Sequence, residues 1–380
     1  MVERIGIVGG GQLGQMLTEA ARPLGFQVTV LEAAPNCPAT HAGARQIDGN
    51  IKDPDAIREL AGQVDVVTWE VEHIGARTLC ELEELGFNVE PSPFSLLKIM
   101  DKYRQKSELR LAGLPVAPMV DLSSLPAWKT NSELAEDARE ALGGAVILKK
   151  RTDGFDGRKN HVYTGDLVVA NEALGSDWGD VYAERIIDFD KELSVVLGRD
   201  IAGNIAMYPT VETVHKDSIC HTVVAPADIS PKVALRTEEI AHEAMKIFHG
   251  AGIFAIEMFL RGDEVMINEI APRVHNSGHH TIEANVTSQF EQHIRAITGM
   301  RLGPVGMRAP AAAMINILGT RDEPLAREGL DRVLALPDTH PHFYGKAPRP
   351  ARKVGHITVL GASREEVSER ANLARRELSI

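Results

Sequence analysis

Short apolar runs alternate with amphipathic segments over about the first 90 residues, and this alternation constrains the fold more than any other feature. Strands are predicted at residues 4–8, 27–31 and 64–68, and helices at residues 12–24 and 53–60. Strands separated by helices are typical of right-handed βαβ units, which build a parallel sheet. We therefore predict a parallel α/β sheet that ends where the prolines of residues 90–93 break the pattern.

The length of the chain requires more than one hydrophobic core. At 380 residues it exceeds what a single core usually supports, so two or three domains are expected. Residues 145–165 are predicted as strand, glycine-rich turn and strand, and helices are predicted at 100–111, 234–250 and 281–299. From about residue 310 the chain is strand-rich, and it closes with a helix for which Ser363 and Glu366 have capping-box spacing.

Charge and cysteine content argue against several classes of protein. The formal net charge of −12 disfavours a nucleic-acid or anionic-membrane partner, because both need a basic face. Three dispersed cysteines without a C-x-x-C pair fit a reducing compartment and no zinc site. No apolar run approaches the roughly 18 residues of a membrane span. We therefore expect a cytoplasmic protein.

A glycine loop opens the first predicted helix. Residues 9–14 satisfy the spacing G-x-G-x-x-G, and Glu32 ends the next strand, about where a dinucleotide fold holds its ribose acid. Backbone N–H groups at a helix N-terminus favour an anion. Taken alone, the loop fits an NAD site, a site for another phosphate-bearing ligand, or a tight turn only. The remaining segments argue against NAD.

The most informative cluster is an apolar hairpin predicted at residues 253–270, with a three-residue turn at 261–263. In that register Glu257 and Glu269 are diagonal neighbours on one face, about 7 Å apart or less. Two carboxylates in an apolar ladder repel each other unless a cation joins them, and Mg²⁺ suits oxygen ligands. We therefore predict a magnesium site beside Asn268, a possible further oxygen ligand. A solvated hairpin edge is the alternative.

Two further segments fit a nucleotide site. A buried-looking strand delivers Lys149, and Gly154 and Gly157 follow in a turn, as in a loop that closes over phosphates. The alternative is an exposed hairpin with a basic end. Residues 182–192 place acids on and after a strand, where backbone groups could contact adenine and Glu192 the ribose hydroxyls. The alternative is a set of surface acids on an edge strand.

Two polar loops are candidate anion sites. Residues 271–280 hold three histidines directly after the acidic hairpin, but no further His or Cys follows at helical spacing. An anion or a substrate amine is therefore favoured there over a metal. Residues 344–356 form a basic stretch in an otherwise acidic chain, which fits either a phosphate-binding loop or a solvated loop.

Together and in this order, these segments resemble the ATP-grasp superfamily, with its Rossmann-like first domain, its lid with a glycine-rich loop and its Glu…Asn-Glu metal site. Within it, residues 268–279, 287–293 and 349–356 resemble the N5-carboxyaminoimidazole ribonucleotide synthetase family. The similarity runs from Gly9 to about residue 360. It implies an α/β and α+β multidomain chain: an ATP-grasp fold with an N-terminal Rossmann-like (pre-ATP-grasp) domain and a small β-rich C-terminal domain. The expected domains are a substrate-binding domain at 1–95, an ATP-grasp domain at 96–305 with its lid at about 120–185, and a C-terminal domain at 306–380.

The resemblance also implies a set of site residues. Those expected to bind ATP are Lys102, Lys149, Gly154, Phe155, Asp156, Gly157, Arg158, Lys159, Asn160, Glu184, Arg185, Ile186, Ile187, Glu192, His215, Asn268 and Glu269. Those expected to bind the second substrate are Gln12, Leu13, Arg273, His275, Asn276, Ser277, Arg352 and Lys353. Catalytic roles are implied for Lys149, Asp156, Arg158, Arg273 and His275, and Glu257 and Glu269 would hold Mg²⁺. The chain departs from the family pattern at Lys159, where the lid usually has glycine, and at His280, where an aromatic residue is common.

The reaction implied by the resemblance joins bicarbonate to the amine of aminoimidazole ribonucleotide, with ATP cleaved to ADP and phosphate by way of carboxyphosphate. It belongs to purine biosynthesis, and the family usually forms homodimers. Three alternatives remain at this point. They are a formate-using relative that formylates glycinamide ribonucleotide, an NAD dehydrogenase, and a non-catalytic nucleotide-binding regulator. The dehydrogenase leaves the Glu257/Glu269 hairpin unexplained, and retention of Lys149 with both acids argues against the regulator.

Overall fold

The computed structural model describes residues 2–124, 129–152, 159–319 and 328–378. Within these ranges the chain forms three β-sheets, of four, nine and four strands. No helix in the same ranges is both long and apolar enough to cross a membrane.

The first sheet is parallel, as the alternation of strands and helices predicted. Its elements are the strands β1 (Arg4–Val8), β2 (Gln27–Glu32), β3 (Arg45–Asp48) and β4 (Val66–Trp69) and the helices α1 (Gln12–Ala21), α2 (Pro38–His41), α3 (Pro54–Ala61) and α4 (Ala76–Glu84). The strand order is β3-β2-β1-β4. The inner strand β1 is apolar on both faces, and its Ile5, Ile7 and Val8 are fully buried because helices cover the sheet.

Two helices follow, α5 (Pro93–Met100) and α6 (Lys102–Leu111), where the sequence predicted one helix at 100–111. Asp101 separates them. Its backbone is extended, and its side chain accepts a hydrogen bond from the backbone N–H of Arg104, so it is the N-cap of the second helix. Gly113, with a φ of +79°, follows the end of that helix.

A small antiparallel sheet comes next. Its elements are β5 (Met119–Asp121), α7 (Asn131–Leu142), β6 (Val146–Lys150), β7 (Asn160–Tyr163), α8 (Leu167–Leu174) and β8 (Val181–Arg185). The strand order is β5-β8-β6-β7. The strands predicted within residues 145–165 are confirmed as β6 and β7. Both helices are capped: Thr130 forms a capping box with Glu133, and Asp166 accepts hydrogen bonds from two backbone N–H groups.

The large sheet carries the predicted acidic hairpin. Its elements up to residue 297 are β9 (Lys191–Arg199), β10 (Ile205–Met207), β11 (Val211–Lys216), β12 (Ile219–Ala225), α9 (Pro231–Ala244), β13 (Gly252–Arg261), β14 (Glu264–Ala271), α10 (Thr281–Ala284) and α11 (Gln289–Ile297). The single helix predicted at 281–299 is two helices, because Asn285 is extended and Ser288 caps a new start. The helix predicted at 234–250 starts earlier, after the cap residue Ser230, and ends at Ala244.

The C-terminal strands extend the same large sheet rather than forming one of their own. The remaining elements are β15 (Ala311–Leu318), α12 (Leu330–Leu334), β16 (Thr339–Phe343), β17 (Lys353–Gly361) and α13 (Arg364–Glu377). The strand order is β14-β13-β9-β11-β12-β15-β17-β16, with β10 paired to β9. Half of the predicted capping box is confirmed, since the Ser363 side chain accepts from the backbone N–H of Glu366. The Glu366 carboxylate accepts from the N–H of Ala362 instead of that of Ser363.

Candidate active site

The acidic hairpin brings Glu257 and Glu269 directly opposite each other. The register predicted from the sequence, with a three-residue turn and the two acids as diagonal neighbours, was wrong. Arg261 pairs with Glu264, and a register shift beyond Met258 leaves Asn268 as an extra residue. A β-bulge of this kind sets two residues against one and re-aims the side chains beside it. The two carboxylates are therefore direct rather than diagonal neighbours.

The two carboxylates have opposite pKa shifts. Burial, with the charge of Glu269 beside it, raises the pKa of Glu257 to about 7. Burial also acts to raise the pKa of Glu269, but Lys102, whose Nζ lies 2.8 Å from Glu269 Oε2, lowers it below its usual value. A like-charge pair of this kind fits a divalent cation, which would favour ionisation of both groups. Among the described residues, no group of three or more His, Cys, Asp or Glu side chains could hold a metal ion, so phosphate or water oxygens would have to complete the shell.

Helix α6 supplies two lysines, one helical turn apart. Gln105 docks the helix on β14, because its side-chain amide pairs with both the N–H and the C=O of Ile270. Lys102 reaches Glu269 from this helix, and Lys106 reaches Glu184 on β8 with an Nζ–Oε2 distance of 2.5 Å. The sequence analysis missed Lys106, although its spacing of four residues from Lys102 puts both side chains on one face of the helix.

Glu184 lies between two lysines. Its carboxylate binds Lys106 on one side and Lys149 on the other, the second at 3.3 Å. Burial would raise the pKa of Glu184, but the two lysines lower it to about 2. Burial lowers the pKa of Lys106 to about 8, against the pull of Glu184. Both partners of the Lys106–Glu184 pair are 2% exposed, so this is a buried ion pair next to Lys149.

The residues that follow Glu184, from the end of β8 to β11, include the others that were expected to contact adenine and ribose. The backbone N–H groups of Arg185 and Ile186 donate to residues outside the strand, to the carbonyls of Pro118 and Ala145. Further along, Glu192 Oε2 lies 2.7 Å from Nδ1 of His215. Burial acts to lower the pKa of His215, but Glu192 and Glu257 raise it. The structure thus pairs two residues that the sequence analysis assigned to ATP separately.

Most of the predicted lid loop lies outside the described residues: Gly154, Phe155, Asp156, Gly157 and Arg158. Its far end is described. Asn160 pairs with Lys149 in the β6–β7 ladder, and Lys159 has a φ of +60°. Few residues other than glycine, asparagine and aspartate adopt this left-handed conformation readily, so Lys159 stands where a glycine would cost less.

The loop after β14 turns two predicted catalytic residues toward acids. Arg273 Nε lies 2.8 Å from Glu72 Oε1, at the end of the first sheet, and His275 Nε2 lies 3.5 Å from Glu257 Oε1. Burial, followed by the charge of Arg273, lowers the pKa of His275 to about 3. The ring is therefore neutral. Its Nδ1 accepts from the backbone N–H of Ser277, so Nε2 carries the proton.

The neighbouring residues of this loop are held by partners that the sequence did not indicate. Ser277 Oγ lies 2.7 Å from Ser194 Oγ on β9. The side-chain amides of Asn276 and Asn316 donate to each other, at 3.1 and 2.7 Å. Neither Ser194 nor Asn316 belongs to a recognisable motif, because each lies in a strand far from the loop in sequence.

The basic stretch of residues 344–356 lies against the start of helix α1. Lys346, which the sequence analysis did not single out, donates from Nζ to Oε1 of Gln12. Arg352 donates to the carbonyl of Ala347 at 2.9 Å. Lys353 is the first residue of β17. Leu13 is only 7% exposed, so its side chain belongs mainly to the core rather than to a ligand surface.

The glycine loop already holds an anion that belongs to the protein. The backbone N–H groups of Gly11 and Gly14 both donate to the carboxylate of Glu70, and that of Gly10 donates to Glu32 at 3.2 Å. Burial raises the pKa of Glu70, and the N–H groups of Gly11 and Gly14 only partly offset this rise. A carboxylate in this position occupies the donors that a dinucleotide pyrophosphate would need. This geometry counts against the NAD alternative.

Three family models match the chain in succession. They are the ribonucleotide synthetase preATP-grasp domain at residues 2–100, the ATP-grasp domain at 110–290 and the phosphoribosylaminoimidazole carboxylase C-terminal domain at 312–370. The N5-carboxyaminoimidazole ribonucleotide synthase of Synechococcus elongatus is 37% identical, over 97% of this chain and 93% of its own length. The chain belongs to the N5-carboxyaminoimidazole ribonucleotide synthase family. The predicted family and the predicted ATP-grasp fold class are confirmed.

Other relatives agree with this membership. The phosphoribosylaminoimidazole carboxylase of Ogataea methanolica is 40% identical over 97% of this chain, and the chain spans about two thirds of the length of such fungal relatives. A crystal structure of carboxyaminoimidazole ribonucleotide synthase from Aspergillus clavatus with ATP has a TM-score of 0.90 and 36% identity, covering 99% of this chain and 98% of that one. A structure of the synthase from the same organism with ADP and 5-aminoimidazole ribonucleotide has a TM-score of 0.89, with the same identity and coverage.

Proposed function

We propose that this chain carboxylates the amine of 5-aminoimidazole ribonucleotide to N5-carboxyaminoimidazole ribonucleotide, with ATP and bicarbonate consumed and ADP and phosphate released, in purine biosynthesis. One observation carries the proposal. The loop with Arg273 and His275 directly follows a strand whose Glu269 faces Glu257, so the loop expected to bind a small anion adjoins a carboxylate pair suited to a metal. The names of the relatives, and the two ligands of the Aspergillus clavatus structure, support the same substrates.

ATP would bind between the small sheet and the large one. Lys149 and Lys102, which the structure bonds to Glu184 and Glu269, would contact the phosphates. The paired Glu192 and His215 would contact the ribose. Glu257 and Glu269 would hold Mg²⁺, beside Asn268. When bound, the ion would neutralise charge on the phosphates of ATP. Lys106 keeps Glu184 ionised, and this places a fixed negative charge behind Lys149.

Bicarbonate would bind at the loop after β14. The Arg273 guanidinium supplies positive charge there, and Glu72 limits its orientation. The neutral His275 can donate from Nε2–H but cannot take up a proton at physiological pH. It therefore serves as a hydrogen-bond donor to an anion rather than as a base. The γ-phosphoryl group of ATP would pass to bicarbonate, and the resulting carboxyphosphate would deliver its carboxyl group to the amine held nearby.

The phosphate of the ribonucleotide would bind at the basic stretch. Arg352 and Lys353 were assigned there by the sequence resemblance, and the position of Lys346 against Gln12 adds a third cationic side chain. Because Glu70 occupies the N–H groups of the glycine loop, the phosphate would contact side chains at this place rather than the helix N-terminus.

The domain division 1–95, 96–305 and 306–380, with a lid at about 120–185, is part of the proposal. The ranges of the three family models support it. The catalytic roles of Asp156 and Arg158 in that lid, the homodimer and the cytoplasmic location stay predictions.

ADP release tests the proposed reaction. Purified protein with ATP and Mg²⁺ should release ADP only when both 5-aminoimidazole ribonucleotide and bicarbonate are present. Formate in place of bicarbonate, with glycinamide ribonucleotide as the acceptor, should give no release. ADP release that needs formate would favour the formyl-transfer relative, and release that ignores the ribonucleotide would contradict the proposed acceptor.

A further inference from the structure

Helix α11 begins with three polar side chains that are fully buried. Gln289, Gln292 and His293 are all 0% exposed, and they belong to the segment 287–293 that resembles the family but received no role in the sequence analysis. A buried amide or imidazole is costly unless its donors and acceptors are paired. The partners of these side chains therefore indicate what each of them holds.

Gln289 pairs with both backbone groups of His275. The N–H of His275 donates to Oε1 at 2.9 Å, and Nε2 donates back to the C=O of His275 at 2.7 Å. The loop around His275 is not part of a strand ladder. The side chain of Gln289 therefore supplies the two backbone hydrogen bonds that a neighbouring strand would otherwise make.

The contact between Gln289 and the loop is tight as well as paired. A side chain at Gly278 would place its Cβ 2.5 Å from Oε1 of Gln289, so only glycine leaves room for the amide. The backbone N–H of Gln289 donates to Thr281 Oγ1 at 2.9 Å, which fixes the first turn of the helix against α10.

The imidazole of His275 is held at a second place. Its Nδ1 lies 3.3 Å from the backbone nitrogen of Ser277, while its Nε2 lies 3.5 Å from Oε1 of Glu257. With the backbone held by Gln289 and Nδ1 held by Ser277, the direction of the Nε2–H bond is fixed relative to the carboxylate pair.

We propose that Gln289 is a positioning residue, which holds the backbone of His275 so that Nε2–H is aimed at a small anion beside Glu257. The anion class, bicarbonate or its phosphorylated form, rests on the proposed function. Gln289 itself makes no contact with the reacting groups. It acts through His275.

The same helix offers a matched control. Gln292 lies three residues further along and pairs in the same way with Gly303: the glycine N–H donates to Oε1 at 2.7 Å, and Nε2 donates to the glycine C=O at 2.9 Å. The two glutamines thus have the same burial and the same pair of backbone bonds, although Nε2 of Gln289 also lies 3.2 Å from Nδ1 of His279. Only the first holds a residue of the proposed site.

The test compares Gln289→Met with Gln292→Met. Both changes keep the length of the side chain and remove its two bonds to a backbone N–H and C=O, and Gln289→Met also removes the contact with His279. Both should therefore lower the thermal midpoint, Gln289→Met somewhat more. Only Gln289→Met should lower kcat, by about tenfold or more, and raise the KM for bicarbonate, with the KM for ATP within about twofold. Equal losses of kcat in the two variants, or an unchanged kcat in Gln289→Met, would overturn the proposal.

A second measurement does not depend on turnover. In protein with ¹⁵N-labelled histidine, the ring signals of His275, assigned with His275→Gln, should move in Gln289→Met and stay in place in Gln292→Met. If the wild-type protein shows no bicarbonate-dependent turnover, the proposed function fails, while the ring signals still decide whether Gln289 positions His275. Should Gln289→Met not fold, Gly278→Ala displaces the same amide and should move the same signals. Unmoved signals would contradict the positioning role.

Discussion

Replacing Glu257 by glutamine should stabilise the ligand-free protein while it abolishes the activity. The pKa of Glu257 is about 7, against 4.5 for an ordinary glutamate. Ionising this carboxyl group in the native state therefore costs roughly 3 kcal/mol more than ionising it in the unfolded chain. Its side chain is 19% exposed, so solvent screens little of this. Because the pKa is raised on folding, the stability from the protonated form is fully present below pH 4.5 and is lost as the pH rises through about 7.

The assay is the free energy of unfolding of wild type and Glu257→Gln, measured by chemical denaturation at pH 5 and pH 8 without ATP or metal. The advantage of glutamine should be small at pH 5 and should grow by about 2–3 kcal/mol toward pH 8, because only the wild type then holds the buried charge. Titrating groups remote from Glu257 cancel in the difference between the two proteins, whereas His215, whose pKa Glu257 raises, contributes to it. Glu269→Gln is the matched control. It should destabilise the protein at pH 8, because it leaves Lys102 without its carboxylate. A Glu257→Gln advantage that is absent, or independent of pH, would refute the reasoning.

Three further predictions follow from the site. Lys106→Met should destabilise the fold by about 3 kcal/mol, because it leaves a buried carboxylate with one partner fewer; the double variant with Glu184→Gln should lose less, as measured by chemical denaturation. Lys353→Met should raise the KM for the ribonucleotide about tenfold or more and leave that for ATP unchanged, and equal rises would contradict separate sites. NAD should bind more weakly than about 1 mM by calorimetry, since Glu70 occupies the donors of the glycine loop, and tight binding would restore the dehydrogenase alternative.

Much of the fold could be predicted because it depends on local patterns. The parallel first sheet follows from apolar runs separated by amphipathic segments, and the cap at Ser363 follows from short-range spacing. The hairpin was also correctly located, since its apolar run is bounded by a turn. Its register was not, because the turn holds two residues rather than three, and a bulge at Asn268 then shifts the pairing of Glu257 by one more residue. Nothing in a single sequence marks where a ladder takes up an extra residue.

Apart from the lysines Lys106 and Lys346, the parts of the site that were missed are long-range partners. Glu72 meets Arg273, and Asn316 meets Asn276, across separations that only the assembled sheets bring together. Glu70 is the clearest example. The loop spacing suggested a phosphate site, but the anion that occupies it comes from the end of a strand more than fifty residues away. The glycine motif indicates that backbone N–H donors are present, but only the tertiary structure shows that Glu70 is the group that accepts from them.

Isotope transfer tests the central claim, which is that bicarbonate is activated by phosphorylation. If a bicarbonate oxygen attacks the γ-phosphorus, one bicarbonate oxygen stays on phosphorus when the carboxyl group passes to the amine. Bicarbonate labelled with ¹⁸O should therefore leave label in the released phosphate, in proportion to the N5-carboxyaminoimidazole ribonucleotide formed. Phosphorylation of the ribonucleotide followed by capture of CO₂ would put no bicarbonate oxygen into phosphate. Unlabelled phosphate from an enzyme that is actively turning over would contradict the account.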